Sequence, residues 1–426
     1  MSTAISAAMT AVAEAAPPGC RFCGTPLHTT FVDLGSSPLC QTLVRPAELS
    51  AMERFYPLHV RVCERCFLVQ LPAFVAPQEI FGEYAYFSSY ASTWVEHARR
   101  YAAMMIERFR LGPKSRVMEV ASNDGYLLQH FVAAGVPALG IEPAANVAKA
   151  AVERGVPTLV QFLGEATGRA IAADYGKADV VAGNNVLAHV PDLNDFVIGM
   201  RELLAADGVI TMEFPHLVRL IEGNQFDTIY HEHFSYFTFT TVEQIFAAHR
   251  LVIFDVEELP THGGSLRIYA RHVRSKKHAI GSRVDEMRRS EKAQGYRSLE
   301  GYVDFGERVR ETKRRLLEFL IDAKRQGKRI AGYGAPGKSA TLLNYCGIRT
   351  DFLDFTVDAN PYKQGKYTPG TRIPILAPQA ILDARPDLVL ILPWNLEAEI
   401  VEQMSAIREW GGRFVVPIPS VRIVEP

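Results

Sequence analysis

The most restrictive feature of the chain is a strand-like run, Val117-Met118-Glu119-Val120. It breaks into a tight polar turn, Ala121-Ser122-Asn123-Asp124-Gly125, and resumes at helical spacing with Leu127, Leu128, Phe131 and Val132. An apolar run ending in turn residues suits a parallel strand buried on both faces. Its turn then lies at the carboxyl edge of a sheet, where open α/β folds bind their ligands. Gly125 lets a ligand approach the helix start closely, while Glu119, Asn123 and Asp124 supply acceptors and an amide. Acceptors beside a helix N-terminus suit a zwitterion better than a pyrophosphate, which asks for donors only. The sulfonium and amino acid moiety of S-adenosylmethionine fits that description; an ordinary strand-to-helix connection is the plain alternative.

Downstream the text alternates strand and helix, the signature of a doubly wound sheet. Residues 138–142 form a second strand, and Glu142 stands at the ~20-residue distance where an acidic side chain takes ribose hydroxyls. Residues 158–163 give a third strand, whose end, Phe162 and Leu163, is placed to wall an adenine ring. A fourth, 178–185, ends in Asn184 and Asn185, and a fifth covers 208–213. The strand-rich stretch 251–271 completes the sheet.

Two loops at the same edge carry histidines. His189 follows the fourth strand, and Tyr230-His231-Glu232-His233-Phe234 follows the fifth. In an extended run His231 and His233 point to opposite faces, so a metal pair is disfavoured against a general base oriented by its neighbours. Imidazole has the unperturbed pKa closest to neutral, which suits proton abstraction. Ordinary loop histidines are the plain alternative. The turn His262-Gly263-Gly264-Ser265 is expected to face the same cleft.

Four of the six cysteines fall in two pairs, Cys20-Arg-Phe-Cys23 and Cys63-Glu-Arg-Cys66. Each C-x-x-C forms one knuckle, and two knuckles complete a tetrahedral zinc site with no open coordination position, which makes the metal structural. Redox-active pairs or a disulfide are the alternative. Cys40 and Cys346 stand alone and are expected to be small buried residues. A chain of 426 residues asks for two or three domains. Its formal net charge of -1 argues against a general nucleic-acid binder. Residues 1–18, rich in Ala without Lys or Arg, are a poor signal peptide and are expected to be a disordered tail. No stretch approaches the ~18 apolar residues of a membrane span, so a cytoplasmic location is expected.

The last hundred residues open with a second strand and Gly-rich turn, Gly332-Tyr333-Gly334-Ala-Pro336-Gly337-Lys338-Ser339, followed by Asp358 at about the ~20-residue spacing of a dinucleotide fingerprint. Lys338 and Ser339 at the helix start would equally serve a substrate phosphate. Between the two α/β regions, 276–325 is highly charged and reads as a solvated helical connector.

In this order, the four-cysteine module, the E-V-A-S-N-D-G turn, the Y-H-E-H-F run, the H-G-G-S turn and the terminal G-Y-G-A-P-G-K-S domain resemble the nucleotide-deoxysugar C-methyltransferases of antibiotic and surface-glycan pathways. The resemblance runs from Cys20 to near the end of the chain. It implies an α/β fold in three parts. These are a small zinc-binding β-rich module (19–75), a central Rossmann-like S-adenosylmethionine domain (76–275) and, beyond the connector, a C-terminal Rossmann-like domain (326–426) that helps close over a dTDP-sugar. It implies His233 as the catalytic base, with Tyr230 and Glu232 beside it, and His189 and Tyr84 in the same site; Tyr86 and Ser88 are expected to touch substrate. The central turn departs from the more usual E-I-G-C-N-D-G at Ala121 and Ser122. The implied reaction is methylation of a dTDP-4-keto-deoxysugar at a carbon flanking the C4 ketone. C3 is the expected position, and C5 flanks the ketone equally. The base forms an enolate that takes the methyl group, and no catalytic metal is needed. An NAD-linked oxidoreductase or epimerase using the C-terminal turn is the main alternative, and a non-catalytic zinc-containing binding protein the lesser one. A monomer is the default expectation.

Overall fold

A computed structural model of the chain describes residues 17–76, 79 and 87–425. Tyr84 and Tyr86 lie outside the described residues, as does the expected tail apart from Pro17 and Pro18. Among the described residues, three sheets are built.

The first is antiparallel and joins β1 (Thr29–Ser37), β2 (Tyr56–Val62) and β3 (Val69–Gln70) to β9 (Ser235–Tyr236), which comes from far along the chain. The central sheet has the order β10-β11-β8-β7-β4-β5-β6. Its strands are β4 (Val117–Val120), β5 (Ala138–Ile141), β6 (Thr158–Leu159), β7 (Ala178–Asn184), β8 (Leu204–Pro215), β10 (Leu251–Leu259) and β11 (Ser265–His272). β6 to β8 are parallel, and β11 and β10 add antiparallel strands. The four residues of β4 are all buried, as a strand covered on both faces requires. The third sheet, β14-β13-β12-β15-β16-β17, is parallel except at β17. It consists of β12 (Ile330–Tyr333), β13 (Thr356–Val357), β14 (Ile375–Leu376), β15 (Leu388–Ile391), β16 (Arg413–Val416) and β17 (Arg422–Ile423).

The strand expected over 158–163 is only Thr158–Leu159, paired as Gly140↔Thr158 and Ile141↔Leu159. It is an edge strand with β5 as its one neighbour; β5 donates to it through Gly140 and Glu142, and the next donor in that alternation, the Ala144 N–H, turns to Glu142 Oε1 instead. Phe162 and Leu163 therefore lie in a loop.

Helix α1 (Ser92–Phe109) buries Ala98, Tyr101, Ala102 and Met105, the i, i+3, i+4, i+7 stripe of an amphipathic helix, against the central sheet. The charged stretch near residue 310 is more than a solvated connector. Its long helix, α2 (Phe305–Arg325), buries Phe305, Val309, Leu316 and Leu320 on one face, in a core shared with the first and third sheets. Arg310 and Arg314 pair with Glu307 on the exposed face. The expected connector is thus a wedge between modules, because its apolar residues recur at helical spacing beneath the charges. No described helix is long and apolar enough to cross a membrane.

Phe31 of β1 is fully buried and stacks on Phe305 with ring centroids 4.6 Å apart. Phe31→Ala should lower unfolding stability by about 3–5 kcal/mol, read as a reduced urea midpoint. A midpoint unchanged within error would mean that this wedge carries none of the packing energy.

Candidate active site

The carboxyl ends of β4, β5 and β7 open onto a cleft of about 1140 Å³, which continues past the histidine loops to the edge of the third sheet. Single small-molecule sites run to ~1,000 Å³, so this cleft has room for two ligands side by side.

At one end stands the turn after β4. Ala121, Asn123 and Gly125 all adopt positive φ (54°, 49° and 77°). Left-handed backbone at non-glycine residues is strained and concentrates at functional sites. The Asn123 N–H donates to Glu142 Oε2 and the Ala144 N–H to Oε1, both at 2.9 Å, while burial raises the Glu142 pKa. Ala121, Asn123, Glu142, Phe162, Leu163, Asn184 and Asn185 line the cleft. Buried acceptors Asn184 Oδ1 and Asn185 Oδ1 have no hydrogen-bond partner among the described residues, which suits a ligand bearing ammonium or hydroxyl donors.

Three residues expected at the cofactor lie behind the wall. Asp124 turns Oδ2 to Arg154 at 2.7 Å and to Ser89, and its Oδ1 is buried with no partner among the described residues. The Glu119 side chain is fully buried; burial pushes its pKa well up, with the Tyr126 phenol acting in the opposite sense. Gly125 is required where a Cβ would meet Val156 at 3.0 Å. These residues shape the turn without lining the cleft. Ser88 does line it, its N–H donating to Asn123 Oδ1 at 2.9 Å. Trp94 and Tyr126 were not foreseen. They stack at 5.9 Å on the cleft wall, and the only sequence signal was an aromatic residue at a helix start next to a candidate turn.

The histidines meet in the middle of the cleft. His189 and His233 pack edge to face, ring centroids 4.8 Å apart, and Tyr230 lies 4.1 Å from His233. His233 Nδ1–H donates to the Thr228 carbonyl at 2.8 Å, which leaves Nε2 as the unprotonated nitrogen. Burial drives the His233 pKa well below the usual imidazole value, and the neighbouring His189 and His262 rings add to it. Burial also pushes His189 down to about 4, opposed by a hydrogen bond to the Glu232 backbone. His231 turns away to the Pro57 carbonyl at 3.2 Å and the Tyr56 ring; the segment is a turn rather than the expected extended run, the His233 N–H donating to the Tyr230 carbonyl at 2.9 Å. Glu232 lines the cleft and accepts a 3.2 Å hydrogen bond from the buried Cys40 thiol.

The turn after β10 contributes His262 (φ 55°), whose Nε2 accepts from Asn185 Nδ2 at 2.9 Å. The turn is held by Thr261, which donates to Glu213 Oε1 at 2.8 Å; Arg267 and His97 engage the other oxygen at 2.6 and 2.9 Å. Burial works against this carboxylate, yet His97, Arg267 and Thr261 hold its pKa down to about 2. Gly263 and Gly264 do not line the cleft. A Cβ at Gly263 would meet Gln225 and Trp394 at 2.8 Å.

From the third sheet, Tyr333, Gly334 and Lys338 line the far end, joined by Lys363 and Lys366, which sequence reading missed. The Lys338 ammonium sits 4.4 Å over the Trp394 ring. Ser339 is turned inward, its hydroxyl donating to the Pro336 carbonyl at 2.6 Å. Apart from the cleft, Cys20, Cys23, Cys63 and Cys66 bring four sulfurs within 4.8 Å of one another. Three of their separations are 3.5–3.6 Å. Four thiolates at ~2.3 Å from a tetrahedral ion would stand ~3.8 Å apart, so the cluster fits such an ion.

Three family models match the chain in succession: "Putative zinc binding domain" over residues 20–81, "Methyltransferase domain" over 94–253 and "C-methyltransferase C-terminal domain" over 260–419. C-methyltransferase NovU of Streptomyces niveus is 37% identical over 405 residues, covering 95% of this chain and 96% of its own. The chain belongs to the C-methyltransferase family. A solved S-adenosylmethionine-dependent methyltransferase from Anabaena variabilis matches 42% of the chain and 86% of its own at 16% identity and a TM-score of 0.35. The magnesium protoporphyrin IX methyltransferase of Synechocystis matches 41% and 82% at 15% identity and 0.34. This C-methyltransferase depends on S-adenosylmethionine, and the cleft fits that ligand through the Asn184 and Asn185 acceptors at the end of β7 and the Glu142 carboxylate after β5.

A base must be neutral to act, and burial holds His189 and His233 neutral below the ~6.5 of free imidazole. Activity should therefore be lost only as pH falls through their depressed values. The acid limb of kcat/KM, which reports free-enzyme ionisations, is expected well below pH 6.5. A limb centred at or above 6.5 would contradict the assignment of either histidine as the base.

Proposed function

We propose that this C-methyltransferase acts on a dTDP-4-keto-deoxysugar, at a carbon flanking the C4 ketone and specifically at C3, with His233 as the base. The observation that carries the reading is the His233 imidazole itself. It is neutral, fixed in one tautomer by Thr228, and in a cleft wall between the expected cofactor turn and the lysines of the third sheet. Its Nε2 lone pair removes the proton α to the ketone. Tyr230 borders the same space and donates a hydrogen bond to the developing enolate oxygen, while His189, whose one N–H is held by the Glu232 backbone, packs against the base; loss of such a donor typically costs ~100-fold or more in rate. Tyr84, which the family resemblance also puts at the active site, is expected to share that role. Bound S-adenosylmethionine supplies an electrophilic methyl on a sulfonium. Glu142 is suited to its ribose hydroxyls, Phe162 and Leu163 to its adenine, and Asn184 and Asn185 to its amino acid end.

Lys338 and Lys366 supply cationic side chains for the nucleotide diphosphate, with Tyr333 and Gly334 beside them. The dinucleotide reading of this turn is unsupported. The family model that matches residues 260–419, this turn included, is instead a C-methyltransferase C-terminal domain. The four cysteines are proposed to hold a structural zinc ion, with Gln70 Nε2 donating to Cys20 Sγ at 3.1 Å.

His233→Asn should abolish both methyl transfer and solvent-deuterium exchange into the sugar. Affinity for S-adenosylmethionine, measured calorimetrically, should stay within about threefold because the base touches substrate rather than cofactor. Near-normal turnover in this variant would end the proposal. Mass spectrometry on a panel of dTDP-4-keto-6-deoxysugars, followed by NMR of the product, identifies the sugar and separates C3 from C5.

A further inference from the structure

Arg21 lies between two of the metal-cluster cysteines, yet its side chain leaves that module. Nη1 donates to the Pro191 carbonyl at 2.9 Å, two residues beyond His189. Nη2 donates to the Leu71 carbonyl. The guanidinium stands 5.5 Å from the centre of the Phe234 ring, the residue after His233. The surrounding backbone closes the same triangle. Leu71 N–H donates to the Phe234 carbonyl at 3.0 Å, and Phe234 N–H donates to the Ala188 carbonyl at 2.7 Å. β3 and β9 continue it through Gln70↔Ser235 and Val69↔Tyr236. The arginine's own N–H donates to Gln70 Oε1 at 2.9 Å, and Gln70 in turn touches Cys20 Sγ.

We infer that Arg21 is a positioning residue for the methyl-transfer reaction: it braces the His189 loop against the His233 loop from the cysteine knuckle. This rests on the proposed roles of His189 and His233. Arginine suits the task because its planar fork carries donors in two directions while its face packs on an aromatic ring. Lysine's ammonium is a single point donor without the planar face, so it matches the two carbonyls and the ring less well. Arg21 grips the chain at Pro191 and beside Phe234, next to the two histidines, and a displacement of about 1 Å in such groups is worth ~100-fold in rate. The arginine of the second knuckle, Arg65, is exposed, so this is not a general property of the cysteine pairs.

The test compares Arg21→Met with Asn194→Ala. Asn194, in the helix that follows the His189 loop, also docks the knuckle, donating to the Arg21 and Phe22 backbone carbonyls at 3.4 and 3.0 Å and accepting from His249, so its removal loosens the knuckle while leaving the Arg21 guanidinium contacts in place. Each protein is assayed for bound zinc, S-adenosylhomocysteine affinity, kcat, KM for the sugar, and solvent-deuterium exchange. Arg21→Met is expected to keep zinc and cofactor affinity within about twofold while kcat and exchange fall together by ~10–100-fold at little-changed KM. Asn194→Ala is expected to keep kcat within about twofold. If Arg21→Met loses its zinc, Arg21→Lys carries the test, with a smaller fall in the same two rates. Unchanged kcat and exchange in the folded Arg21 variant overturns the inference, as does an equal fall in Asn194→Ala. His233→Asn, run alongside, separates this failure from that of the base assignment: an active His233→Asn removes the base, whereas an inactive His233→Asn with a normal Arg21 variant removes only the brace.

Discussion

The segment from Phe226 to Tyr236 can satisfy only part of its own backbone, because its regular structure is a three-residue 3-10 helix, Phe226–Thr228, and a two-residue strand. Buried peptide groups must nonetheless be paired. The structure meets this demand from every side. The Phe234 N–H is taken by Ala188 of the central domain. Ser235 and Tyr236 pair with β3, and the Ile229 carbonyl accepts from Thr341 of the C-terminal domain at 2.7 Å. Asp227 accepts from the Trp394 indole at 2.7 Å. His231 and Glu232 reach Pro57 and Cys40 of the N-terminal module. A segment tied into three modules holds its histidine in one orientation, and none of the modules presents that site alone.

The same closure sets the electrostatics. Charges kept inside come with partners: Glu213 with His97 and Arg267, Asp124 with Arg154. These pairs shape the walls rather than face the reacting space, and removing one partner would strand the other in a poor solvent. Asp227, lifted to about 6 by burial, is opposed by Lys338 and the Trp394 indole, so it couples the histidine segment to the far end of the cleft. The imidazoles stay neutral because burial disfavours their charged form.

Features written locally were legible in the sequence. The C-x-x-C spacing named four residues whose sulfurs cluster. Glu142 was placed beside the turn by its spacing and does line the cleft there, whereas Tyr230 to His233 form a turn and not the extended run expected. Less legible were residues whose roles depend on long-range contacts. Asp124 and Glu119 looked like ligands for a cofactor, but the fold turns the first to Arg154 and buries the second behind the wall. Ser339 looked available to a phosphate, yet it closes onto Pro336 within its own turn. A two-residue strand such as β9 has no periodicity to detect, so its pairing with β3 was invisible, and with it the reach of Arg21. The helix at 305–325 was misjudged in the other direction, because its charges are many and its buried stripe is narrow.

Burial poses an apparent problem for a base, since each unit by which its pKa is depressed costs about 1.4 kcal/mol of proton affinity. The resting pKa, however, describes a lone imidazolium in a dry cleft. In the proposed reaction the proton arrives as an enolate forms, so cation and anion appear together, and their attraction is stronger where water is excluded. Burial that weakens His233 as a base at rest therefore strengthens the ion pair that it makes during proton transfer. The gain exists only if the imidazole is already aimed at the carbon when charge develops, because a side chain that had to reorient would forfeit it. The many ties on the segment from Phe226 to Tyr236 are what such a site requires.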